Sequence, residues 1–349
     1  MSQTRNSSIE LLRMLCITMI IVLHAVEHNH CCDGVSGAIL SAIGNCGVTI
    51  FVLITGYYGL SFNPHKLFHL RNIASFYLLC ALLLELYMGS PVSGNNIFSV
   101  IFPVISGKYW FLTSYVLLII FSPYINRLLE TLSNNRFKIL VIVLILVFYI
   151  IPSFLKHYIG GDGKNIIYMA SVYIMGRYIA RVKFAENVKK TSLSTIFIAC
   201  ITVIVVLDYL KKNIGISDYL LASHLIHKLD GDNSIFILIA STSLFLLFSR
   251  LTFHNVVINQ IAKSVFAIYI LEWLARPFLL QYLNLTLLNI YLQPIATIGF
   301  SIGVYLLCGG IDQLRLLTTS RIADWFESVE IRLFEKAKGV VCKLLPNNQ

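Results

Sequence analysis

The chain has 349 residues, 57% of them hydrophobic and only 13% charged. Soluble domains carry about twice that share of charge, so a fold that faces water all round is excluded. The net charge of +10 does not point to nucleic acid, because lysines and arginines gather in alternate loops between apolar runs, as membrane orientation demands. The expected fold is all-α, a polytopic integral membrane bundle of about ten transmembrane helices with the bilayer as solvent.

The first apolar stretch, from Ile9 to about Val26, is long enough to cross a bilayer. It opens on Glu10 and Arg13 and closes on His24 and Glu27. The eleven steps from Arg13 to His24 make three turns plus roughly 20°, so both share one face about 16 Å apart along the axis. Ionisable groups aligned on a spanning helix usually look into a protein interior or a wet cavity. The plainer alternative is an interfacial Glu10–Arg13 pair, with a snorkelling arginine and an ordinary helix-end histidine. Length, the acid–base opening and the lack of a small-residue cleavage site argue against a cleaved signal peptide.

Ten spans fit best, at approximately 9–27, 37–60, 72–88, 109–126, 138–155, 165–181, 192–210, 234–250, 264–283 and 291–311. An even count puts both termini on one side. That side holds 19 of the 27 lysines and arginines and the other only 6, which places both termini in the cytoplasm. The second span carries glycines at 44, 47, 56 and 59, read either as tight helix packing or as a broken, re-entrant helix. The stretch after it, 61–71, reads as a short basic turn at the inner headgroups, with Lys66 and Arg71. Residues 88–108 read as an outer loop. Tyr109 and Trp110 then suit interfacial anchoring, or stacking on a sugar at a pocket mouth.

Of the eight cysteines, Cys31 and Cys32 are adjacent at an outer turn, and the rest form neither a metal-ligand nor a disulfide pattern. The outer loop 211–233 contains Asp218, His224, His227, Asp230 and Asp232, spaced too irregularly to name a metal, and no metal site is expected. In the ninth span Glu272 sits one turn before Arg276, so the two can pair within the membrane, and Pro277 is expected to kink the helix. Asp312 and Arg315 mark the inner end of the last span. The chain therefore divides into a membrane domain, 1–315, and a cytoplasmic tail, 316–349, that reads as a cationic amphipathic helix at the inner surface. No internal repeat, nucleotide-binding glycine loop or nucleophilic-serine elbow is visible.

In four places the sequence resembles the bacterial membrane acyltransferase-3 family, whose members O-acylate cell-envelope polysaccharides. They are IELLRMLCITMIIVLH (9–24), GVTIFVLITGYYG (47–59), the basic HKLFHLR (65–71) and YWFLTSYVLLIIFSPYIN (109–126). With the ten-span layout the likeness extends over roughly residues 5–315. Two departures stand out. The basic stretch has fewer cations than the family's arginine cluster, and Glu272 stands in YILEW (269–273) where many relatives carry a histidine.

The resemblance implies transfer of an acyl group, most often acetyl from cytosolic acetyl-CoA as co-substrate, to a sugar hydroxyl on a lipid-linked or envelope glycan. It implies a multi-pass protein of the bacterial inner membrane. His24 would act as general base or as a transiently acylated nucleophile, oriented by Glu27 or another carboxylate. Arg13, beside Glu10, would hold an anionic group or developing oxygen charge. Lys66 and Arg71 would meet coenzyme A phosphates, and Tyr109, Trp110, Glu272 and Arg276 are candidate acceptor-binding residues. A secondary transporter also needs buried charge and interrupted helices, but often shows two repeated halves. A membrane scaffold or sensor would leave the Arg13–His24 alignment without a task.

Overall fold

A computed structural model describes residues 6–89, 91, 93–154, 163–213 and 231–344. Helix α1 (Ser7–Glu27) starts where the Asn6 side chain accepts the Ser8 N–H, relieving one of the unpaired donors of a first turn. It is followed by α2 (Gly34–Tyr58), α3 (Pro64–Tyr87), the short α4 (Gly94–Ile101) and α5 (Trp110–Thr131). Next come α6 (Asn134–Ile145), which runs on through a π-helical turn at Leu146–Ile150, α7 (Ile166–Val182) and α8 (Lys190–Asn213). The chain ends with α9 (Ile235–Ser249), α10 (Val256–Ile261), α11 (Val265–Leu280) and α12 (Gln293–Leu344). Among the described residues eight helical segments are long and apolar enough to cross a membrane. The 17-residue α7 and 15-residue α9 complete a bundle of about ten. The fold is the all-α, polytopic membrane bundle that the composition demands.

Helix α2 is the hub, and its glycines explain why. A Cβ on Gly44 would stand 2.7 Å from the Leu23 Cβ, and one on Gly47 2.7 Å from the Cys16 carbonyl, both in α1. On the opposite side a Cβ on Gly56 would lie 2.3 Å from the Tyr173 carbonyl and 3.0 Å from Gly176, in α7. Small residues let backbones approach this closely, and in a bilayer that packing is a main source of helix association. The helix is continuous from Gly34 to Tyr58, so the glycines serve packing and the re-entrant alternative is set aside.

The start of α1 is tied to the connection between α9 and α11. Ser7 N donates to the Phe253 carbonyl at 3.1 Å, and the Ser8 hydroxyl donates to the Phe248 carbonyl at 2.5 Å. These ties hold α1 beside α11, the element that carries Glu272.

Three boundaries differ from the sequence reading. The basic stretch 65–71 is not a turn but the first two turns of α3, because Asn63 caps it and Pro64 stands at its first position, where a missing N–H costs nothing. The outer stretch 88–108 contains α4, capped by Ser93. The last helix does not stop near 311 but runs on to Leu344, 52 residues in all, about 78 Å at 1.5 Å per residue. That is more than twice the roughly 30 Å hydrocarbon core. Pro277 lies inside α11, which continues past it to Leu280. Most of the loop 211–233, with Asp218, His224, His227 and Asp230, lies outside the described residues.

Candidate active site

His24 occupies the last turn of α1, and its ring is held from another helix. Nδ1 stands 2.7 Å from Glu272 Oε1. The other carboxylate oxygen, Oε2, accepts the Arg276 Nε–H at 3.0 Å, and both Glu272 and Arg276 are fully buried. A carboxylate paired with a buried guanidinium is ionised and can only accept. Nδ1 is therefore the donor, and in the neutral ring the lone pair lies on Nε2. Arg276 also donates to the His24 carbonyl at 3.3 Å and to Asn29 Oδ1. One arginine thus fixes both the carboxylate and the end of the helix that bears the imidazole.

Two aromatic rings flank His24. Trp273 lies 4.8 Å away between centroids and His28 5.3 Å away, and the Arg276 guanidinium sits 5.4 Å from the Trp273 ring. Burial, with the nearby Arg276 charge, lowers the basicity of the His28 imidazole, which favours its neutral form.

His24 borders a cavity of about 40 Å³ whose lining includes Ile17, Ile20, Phe51, Trp110, Phe111 and Tyr269. Ile17, Ile20 and His24 continue the helical stripe that begins at Arg13, so the cavity runs along that face from the histidine inward. At its edge Phe111 stacks on Tyr115, with centroids 5.7 Å apart. The Tyr115 hydroxyl accepts a hydrogen bond from Lys66 Nζ at 3.1 Å. Larger clefts, such as one of about 450 Å³ lined by Val141, Met175, Tyr178 and Leu246, are apolar gaps between helices remote from His24.

The residues singled out from the sequence fall into separate groups. Glu10 and Arg13 form an ion pair at 3.0 Å, three turns from His24. Lys66 and Arg71, five residues apart, project from different sides of α3. Lys66 turns to Tyr115 in α5, whereas Arg71 pairs with Glu330 of α12. Trp110 lines the cavity. Tyr109 is no interfacial anchor, because α5 packs on α11 there and leaves it 2% exposed, with its hydroxyl 3.4 Å from the Ile270 carbonyl that it donates to. Glu27 is exposed, and the carboxylate that orients His24 is Glu272. Trp273, His28 and Asn29 were not singled out from the sequence. For Trp273 the available signal was its place beside Glu272 in a spanning helix. Cys31 and Cys32 are both buried thiols, and burial pushes their pKa up, against a reactive thiolate.

What the arrangement offers chemically is a hydrogen-bonded acid–imidazole pair beside a narrow cavity, with cations toward the other end of the same helix face. Neither a curated protein nor a solved structure matches the chain. The acyltransferase domain of the acyltransferase-3 family does match, over residues 6–311. That match covers most of the chain and all the elements that build the site, and this protein belongs to the membrane acyltransferase-3 family.

Proposed function

We propose that this membrane acyltransferase moves an acetyl group from cytosolic acetyl-CoA to a hydroxyl of a lipid-linked or envelope glycan, with His24 as general base. The observation that carries this reading is the 2.7 Å bond between His24 Nδ1 and Glu272. A sugar hydroxyl is a poor nucleophile at neutral pH. Nε2 takes its proton as the oxygen attacks the thioester carbonyl, and the imidazolium then protonates the departing coenzyme A thiolate. Glu272 stabilises that transient positive charge, as the carboxylate does in a serine hydrolase triad. Arg276 holds the other oxygen of that carboxylate at 3.0 Å.

The size of the cavity supports acetyl over longer groups. A cavity of about 40 Å³ at His24 is narrow, which favours a short acyl group over a fatty chain. Arg13 is too far along α1 to touch an oxyanion at His24. It suits, with Lys66, an anionic part of the donor, and Arg71 at the start of α3 suits the donor's phosphates, entering from the cytoplasmic side that the distribution of basic residues indicates. Trp110 and Trp273 suit stacking on the acceptor sugar.

Mass measurement of envelope glycans from cells expressing the wild type or His24→Ala tests the reading. The acyl increment should disappear with the variant, because loss of a positioned base costs about 10²–10⁴ in rate. Equal increments at equal protein levels would remove His24 from the chemistry.

A further inference from the structure

The family match ends at residue 311, yet α12 runs on unbroken to Leu344, and this extension returns to the start of α3. Glu327, Glu330 and Phe334 are spaced i, i+3 and i+7, so they form one stripe of α12. The stripe meets a matching one on α3. Glu327 reaches His65 Nδ1 at 3.3 Å and His69 Nδ1 at 3.4 Å with its two oxygens. Glu330 pairs with Arg71 through Oε1 and accepts the Asn72 Nδ2–H at 2.9 Å through Oε2. Phe334 packs between Phe62 and Phe68, with centroids 6.5 and 6.1 Å away. Arg71 is further engaged by Asn72, whose side-chain oxygen accepts from both Nε and Nη2.

We infer that this extension is an internal competitor of the acyl donor: Glu327 and Glu330 occupy the basic face of α3 that the donor's phosphate groups take. The inference rests on the reading of Arg71 as a donor-binding residue and adds regulation to it. The chemistry favours exchange. A carboxylate offers a guanidinium one negative charge, whereas a phosphate offers up to two and the same bidentate geometry. The pairs are well exposed on the histidine and arginine sides, at 65%, 54% and 36% of the side chain. Exposed ion pairs are individually weak, so a multiply charged ligand can lift the extension, whereas a monoanion cannot. The donor site is then fully open only when the tail is displaced, and whatever else holds the tail away raises apparent donor affinity.

The test is equilibrium binding of coenzyme A to the purified full-length protein, alongside initial rates against acetyl-CoA. Removing the competitor by Glu327→Gln with Glu330→Gln should tighten coenzyme A binding and lower the donor KM by about three- to tenfold, the gain expected when a site open 10–30% of the time becomes always open. The turnover number should not change. Phe334→Ala loosens the same contact without touching a charge and should shift affinity in the same direction, which guards against a folding defect in the double variant. Unchanged or weaker binding in both variants, while the wild type binds and Arg71→Gln weakens it, overturns the competitor and leaves the donor site standing. Undiminished binding by Arg71→Gln removes the donor-site reading and the competitor together.

Discussion

Replacing Glu272 by Gln is the most discriminating change, because it keeps the shape and removes the charge between His24 and Arg276. The amide has one acceptor and one donor end. If its oxygen stays with Arg276 Nε, its NH₂ faces His24 Nδ1, which must then give up its proton. The imidazole adopts the other tautomer, and Nε2 carries a hydrogen where a lone pair is needed. In a serine hydrolase the equivalent change costs about 10⁴ in turnover, roughly 5.4 kcal/mol of barrier at 1.36 kcal/mol per decade. Stability suffers separately. Arg276 is 1% exposed, and leaving a buried charge without its partner costs about 3–5 kcal/mol, a large part of a typical total stability of about 5–15 kcal/mol. The double variant Glu272→Gln with Arg276→Gln removes the stranded cation as well, so it should regain most of the melting temperature and none of the activity. Acetyl transfer by purified protein, with thermal unfolding in the same detergent, reads both quantities. Turnover within about threefold of wild type in a monodisperse Glu272→Gln protein would refute the tautomer argument, since the loss expected is about 10²–10⁴.

Other predictions follow from packing and topology. Gly56→Ala should destabilise the bundle by about 1–3 kcal/mol or more, because the three nearest atoms its Cβ meets, at 2.3, 3.0 and 3.1 Å, are all backbone and cannot rotate away. Gly299→Ala meets nothing within 4 Å and should be neutral or stabilising by about 0.5–1 kcal/mol; detergent melting curves of the pair give the comparison. With cytoplasmic termini, a cysteine at the exposed Ser93 should react with an impermeant maleimide in intact cells. Labelling only after lysis would reverse the orientation.

Much of the fold was legible because the bilayer imposes a simple rule: backbone groups must pair within a helix, and side chains must be apolar. Each of the ten expected spans overlaps a helix. The start of α3 was also written locally, in the Asn63 cap and Pro64, but the cations that follow resemble a headgroup turn and outweighed that signal. The site was half legible. The Glu272–Arg276 pair follows from i, i+4 spacing within one helix, and His24 follows from its stripe with Arg13. The bond that joins them spans 248 residues and depends on how α1 lies against α11, which no periodicity encodes. Likewise, nothing in the spacing of Lys66 and Arg71 reveals that one turns to α5 and the other to the tail. That split needs the positions of three helices.

The position of His24 at the very end of α1 has a physical consequence. The last carbonyls of a helix have no partners within it, and in the membrane such groups must find donors or stay costly. The His24 carbonyl accepts the His28 N–H at 3.0 Å and the Arg276 guanidinium at 3.3 Å. Arg276 therefore satisfies the backbone of the same residue whose side chain its partner Glu272 orients. A motion of α11 relative to α1 strains both bonds together, so the ring is set by the helix end as well as by the carboxylate. This also bears on the exchange of a histidine for Glu272 relative to the family pattern. A neutral imidazole at that position would accept the hydrogen bond from Nδ1–H without needing a counter-ion, whereas a carboxylate buried in the membrane must have one. Glu272 and Arg276 form one bonded unit, and substituting either alone should disturb both the orientation of the His24 ring and the pairing of the His24 carbonyl.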